Sequence, residues 1–179
     1  MGAQALDAPV RAALDACLEP GEQLRAWAWG PADLPPEPGA MLGQILVTLL
    51  GAFWRALISP LLRLRAVLGV PTWQQVLGRQ CLMAVTDRRV LALPFAFQRR
   101  VTPAGVEGEV ELVRTASLQA WSVDQAPPAS VAAIRSTRLL SFPGHPGLVL
   151  GYAPDAGDER SKRAVALRRE LLPGSEEVG

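Results

Sequence analysis

One histidine, two cysteines and a scatter of serines are the residues in this chain of 179 that could do nucleophilic or acid–base chemistry. His145 lies in the turn Pro143-Gly144-His145-Pro146-Gly147. An imidazole acts as a general base or a metal ligand only beside partners, and the sequence has no second histidine. It therefore reads as a surface turn residue, and replacing it by Ala is expected to leave function intact. Cys81 is followed by Leu82 and Met83, which makes it a small buried hydrophobe rather than a stabilised thiolate. Cys17 and Cys81 alone do not make a disulfide framework. Ser117, Ser130, Ser136 and Ser141 lack a nucleophile elbow. Glu107, Glu109 and Glu111 alternate as the solvated face of a strand does. No glycine-rich phosphate loop is present. The expectation is a non-enzyme with no catalytic residue, no metal site and no cofactor.

Charge is more telling in its distribution than in its sum. The net charge is +1, which gives no global bias toward nucleic acid. Residues 1–37 hold six acids and two bases, whereas residues 55–100 hold eight arginines and one acid, Asp87. Among those arginines, Arg88 and Arg89 in the short break Thr86-Asp87-Arg88-Arg89 are candidate anion contacts, or else turn residues facing water. Seventeen arginines against the single Lys162, with abundant Ala, Gly and Pro, look like the product of a GC-rich bacterial genome. Met1 to Ala16 carries acids and no apolar core run, so it does not read as a secretory signal. A cytoplasmic location is expected.

The sharpest apolar signal follows a proline-rich stretch. Pro38 to Trp54 is seventeen residues without a charge. Leu46, Leu49, Leu50, Phe53, Trp54 and Leu57 recur at helical spacing, and Arg55 interrupts the run. Beyond Ser59-Pro60 comes a second amphipathic piece bearing Arg63 and Arg65, and Trp73 follows it. A membrane span needs ~20 apolar residues, and a single crossing would part the first strand from the rest of its domain. The segment 38–73 is thus expected to be a helical insertion. It could lie in a membrane interface, where aromatic rings and snorkelling cations settle, dock on a protein partner, or pack on its own sheet.

The remaining pattern is mostly strand. Asp7 to Leu18 reads as a short helix with Asp7 as its N-cap. Gln23 to Gly30 alternates and reads as the first strand. Gln80 to Phe97 reads as a hairpin, held by Asp87 at its turn. Gln98 to Gly108 reads as a loop. Strands are expected at 109–113, 120–124, 130–134, 137–142 and 148–153, and Asp158 should cap a closing helix.

The lead-in Leu18-Glu19-Pro20-Gly21-Glu22, the hairpin Val85-Thr86-Asp87-Arg88-Arg89-Val90-Leu91 and the order of strands with a final helix resemble the bacterial pleckstrin-homology-like (PH-like) domains. The match covers about residues 18–30 and 78–172. The resemblance implies a mainly β fold with helices: a bent β-sandwich of about seven strands closed by a C-terminal helix. It implies a single domain over residues 1–179, with residues 38–73 inserted where that family has a short loop. It also implies a binding and scaffolding role. The expected function is docking to the cytoplasmic membrane face or to a membrane partner through the insertion. Leu46, Leu49, Leu50, Phe53, Trp54 and Leu57 would supply apolar contact, with Trp73 at the interface, while Arg55, Arg63 and Arg65 meet anionic lipid. The other class is a scaffold or assembly subunit whose insertion binds protein, a further copy of the chain included; nucleic acid is not expected.

Overall fold

The computed structural model describes residues 4–32, 60–61, 64, 67–68, 72–102, 105–145 and 147–173. The chain is mainly β, with a curled antiparallel sheet and a C-terminal helix. In order these are α1 (Gln4–Asp15), β1 (Leu24–Pro31), β2 (Thr72–Gln75), β3 (Gln80–Thr86), β4 (Arg89–Thr102), β5 (Gly105–Arg114), β6 (Gln119–Ser122), β7 (Ser130–Ile134), β8 (Thr137–Ser141), β9 (Val149–Tyr152) and α2 (Glu159–Leu171). The described residues thus hold nine strands where about seven are expected from the sequence. Six form one sheet around β4 and three form another, β7-β8-β9. Residues 1–34, 77–96 and 112–179 make one compact unit; residues 35–76 and 97–111 make a second.

The first unit holds a hydrophobic core cluster. In β1, Ala26 and Ala28 face inward, and β1 pairs antiparallel with β3 from Leu24↔Thr86 to Pro31↔Gln80. Every residue of β3 is buried, and so are Val90, Leu91, Ala92 and Leu93 of β4. That is why this stretch reads as near-continuous apolar sequence rather than as a clean alternation. Cys81, Met83, Val85, Val90 and Ala92 meet Leu140, Leu150 and Tyr152 of the second sheet, and Ala164 and Leu167 of α2 close the cluster. β1 and β9 approach each other at glycines. A Cβ placed on Gly30 would lie 2.5 Å from the carbonyl oxygen of Gly151, so only a residue without one fits.

The other face of β1 presents indoles. The Arg160 guanidinium sits 3.7 Å from the ring centre of Trp29, and Arg163 sits 4.7 Å from that of Trp27. Asp7 joins them, accepting from Trp29 Nε1 at 2.8 Å and from Arg163 Nη1 at 3.1 Å. These cation–π and hydrogen-bonded contacts tie α1, β1 and α2 together. Asp7 is therefore inside the helix rather than its N-cap: α1 runs from Gln4, with Pro9 within it. The expected cap of α2 is present, Asp158 accepting from Ser161 N at 2.8 Å.

In the second unit, β2 pairs with the distal half of β4, from Thr72↔Val101 to Gln75↔Gln98, and Val76 N donates to Phe97 O at 2.8 Å. Two expectations change here. Gln98–Gly108 is strand at both ends, not a loop, because β4 runs on to Thr102 and β5 starts at Gly105. Arginines and glutamines hide that strand from an apolar pattern, yet β2 supplies it a hydrogen-bonding partner. Trp73, expected in the insertion, belongs to β2. Pro60, Leu61, Leu64 and Val67 have helical backbone, and Leu68 N donates to Leu64 O at 3.0 Å. Residues 38–59 of the expected helical insertion lie outside the described residues.

Candidate functional site

The two sequence motifs that carry the family resemblance meet in space. Glu22, from Pro20-Gly21-Glu22, has its side chain fully covered. Its carboxylate accepts from Thr86 Oγ1 at 2.7 Å, from Arg89 Nε at 3.0 Å and from Arg89 Nη2. Arg89 Nη1 also reaches Glu19 at 2.8 Å. Thr86 Oγ1 accepts from the backbone N–H of Arg88 and Arg89, and Asp87 accepts from Gln23 N at 2.9 Å. A bidentate guanidinium on a buried carboxylate is a strong, oriented pair. The Arg89 hydrogen bond holds the Glu22 carboxyl down at about 2 and, reciprocally, raises Arg89 above its ordinary value. This cluster fastens the start of β1 to the β3–β4 turn. Its function is positional, because every charged group in it is already paired within the chain.

Of the two candidate anion contacts, Arg89 is thus engaged by Glu19 and Glu22, while Arg88 is more than half exposed and 3.8 Å from Asp87. Cys81 is fully buried, and that burial pushes its thiol up to about 12, which leaves it without thiolate character at neutral pH.

A cavity of about 540 Å³ lies at the end of the first unit where β1 finishes and β3 begins. Its walls are the β5–β6 connection (Thr115, Ala116, Ser117), the β8–β9 turn (Gly144, His145, Gly147) and Arg79 beside Gln80. Thr115 N donates to Pro94 O at 3.0 Å, which fixes the connection over β4. His145 is half-buried rather than free in solvent, with Trp121 edge-on at 5.2 Å between ring centres and Phe142 behind that indole at 5.4 Å. The sequence offered no sign of this support: Trp121 is twenty-four residues away and reads only as a strand residue.

In the second unit, Leu61, Leu64, Val67 and Leu68 are 56–70% exposed, and Trp73 is 44% exposed. Trp73 stands across from Arg100 in the β2–β4 ladder, and Arg100 is exposed too. Leu46, Leu49, Leu50, Phe53, Trp54, Arg55, Leu57, Arg63 and Arg65 lie outside the described residues, so of the expected contact set only Trp73 is placed. Among the described residues no helix is long and apolar enough to cross a membrane, and no group of His, Cys, Asp or Glu is arranged to hold a metal ion.

No known protein family, no curated protein and no solved structure matches this chain.

Proposed function

We propose that this chain is a non-catalytic PH-like module of bacterial type that docks on the inner membrane surface through its inserted apolar segment. The observation that carries the reading is the exposed set Leu61, Leu64, Val67 and Leu68, with Trp73 and Arg100 paired across β2 and β4 of the same unit. Leu61, Leu64 and Leu68 follow i, i+3, i+7 spacing, which is one face of a helix. Apolar side chains in such a row are disfavoured in water, each releasing about 1.5–3 kcal/mol on full burial. An indole beside a guanidinium suits the headgroup region, where both amphipathic groups find apolar and polar surroundings together. Arg55, Arg63 and Arg65 in the same stretch of sequence would add ~1 kcal/mol each near an anionic surface. The buried Glu22–Arg89 pair joining the two family-like motifs, the curled sheet and the closing helix support the PH-like part of the reading.

Flotation with phosphatidylglycerol vesicles tests it. The wild-type chain should float, and high salt should weaken but not abolish flotation, since apolar burial is not screened. Leu64→Asp with Leu68→Asp should remove it, and Trp73→Asp should weaken it by roughly tenfold or more. If the wild type stays at the bottom of the gradient, or the charged variants float equally, the membrane reading fails. The same surface would then belong to a protein partner.

A further inference from the structure

We propose that the cavity between the β5–β6 connection and the β8–β9 turn binds a small organic anion, through a carboxylate or phosphate group held by Arg79 and His145. This site lies wholly in the first unit and is independent of the membrane reading. The inference rests on charge, size and support taken together. None of the described residues that line the cavity is acidic, while Arg79 and His145 both line it. The Arg79 guanidinium has no ion pair with any described residue; its backbone carbonyl alone is engaged, accepting from Ala32 N at 2.9 Å. Arg79 itself is exposed. An arginine lining a pocket without a counter-charge supplies a fork suited to a planar carboxylate or a phosphate.

The second group is positioned rather than loose. Trp121 supports the His145 ring from its edge, and the turn is closed by His145 N donating to Phe142 O at 3.0 Å and Leu148 N donating to His145 O at 3.2 Å. Gly144 and Gly147 hold φ of +87° and +93° in that turn, with open space where a side chain would stand, so the backbone on either side of the imidazole is uncrowded. Thr115, Ser117 and Gln119 line the cavity as well, with Pro94 and Leu148. At about 540 Å³ the volume falls within the ~300–1,000 Å³ range of small-molecule sites and far exceeds what one inorganic ion fills. The ligand is therefore an anion attached to a compact organic body.

The single histidine makes the test direct, because in the untagged 179-residue chain the one imidazole signal belongs to His145. Its carbon-bound protons are followed by NMR at fixed pH while inorganic phosphate, glycerol 3-phosphate, citrate or choline chloride is added. A saturable shift is expected with glycerol 3-phosphate or citrate, weaker with inorganic phosphate, and absent with choline. Arg79→Gln should weaken that binding roughly tenfold or more, as loss of a charge-assisted pair does, whereas Arg169→Gln on α2 should not. Vesicles of phosphatidylglycerol distinguish the source of the anion: competition by vesicles points to a lipid headgroup, and its absence points to a free solute. The proposal is overturned if none of the anions gives a saturable shift at ~20 mM, a concentration well above a millimolar Kd. It is equally overturned if Arg79→Gln binds as the wild type does while its backbone spectrum shows an intact fold.

Discussion

Glu22 has its side chain sealed beneath Arg89, and its carboxyl titrates near 2 rather than at the ordinary 4.5. A carboxylate with a depressed folded value stabilises the fold above its unfolded value and loses that contribution as pH falls. The window here runs from about 4.5 down to about 2. Arg89 and Glu19 are partly open to solvent, so the contribution is discounted to about 1–2 kcal/mol rather than the full shift. Denaturant unfolding of the wild type should weaken by that amount between pH 5 and ~2, and Glu22→Gln should show a visibly flatter pH profile. Arg89→Ala should cost more at neutral pH, ~3–5 kcal/mol, because it leaves a covered carboxylate without its partner. Removing both charges in Glu22→Gln with Arg89→Met should restore part of that loss. If Arg89→Ala and the double variant unfold alike, Glu22 is better solvated than the structure shows. The sequence pointed to these residues as motifs but not as a pair. Nothing in Pro-Gly-Glu or Thr-Asp-Arg-Arg says that a guanidinium sixty-seven residues on will fork onto that carboxylate.

Among the elements, β1 and β9 meet through Gly30 and Gly151. A methyl group on Gly30 collides with the Gly151 carbonyl, and backbone cannot step aside as a side chain can. On Gly151 the nearest atoms, Pro31 Cγ and O, are 3.3 Å away, tight but short of collision. Gly30→Ala should therefore destabilise by ~2 kcal/mol or more and Gly151→Ala by less, since overpacking costs ~1–3 kcal/mol. Equilibrium unfolding in urea gives the order directly, and equal losses would mean the two sheets slide apart freely at this point. Elements whose pattern reflects their own burial were legible in the sequence. Alternation in β1, the apolar β3–β4 hairpin, the β8–β9 hairpin and the capped α2 all follow from side chains that face a core. The distal part of β4 and the short β2 were not legible. Their residues Gln74, Gln75, Gln98, Arg99 and Arg100 are polar, and what makes them strands is mutual backbone pairing. The start of α1 was misplaced for a related reason: Asp7 has the chemistry of a cap, but its carboxylate is used by Trp29 and Arg163, which are distant in sequence.

For the whole molecule, the core of the first unit and the exposed apolar residues of the second come from separate stretches of chain. The core cluster draws on β1, β3, the first part of β4, β8, β9 and α2, together with Phe142 and Leu148. Among the described residues, none of its members falls within 35–76 or 97–111. The described part of this core is therefore drawn from the first unit. Joining Pro38 to Thr72 by a short Gly-Ser bridge keeps β2 and its pairing with β4 while removing Leu61, Leu64, Val67 and Leu68. The shortened chain should unfold in one cooperative transition, within ~1 kcal/mol of the wild type, because lengthening or shortening a connection changes closure entropy only slowly. It should also be more soluble, having lost an exposed apolar row, and it should no longer float with anionic vesicles. Unfolding and flotation then separate the three roles open to the insertion. Loss of cooperative unfolding would mean that residues 39–71 roof the chain's own sheet. Intact unfolding with flotation retained would place membrane contact elsewhere, at Trp73 and Arg100 or outside the second unit. Intact unfolding with flotation lost is the result that a docking element requires.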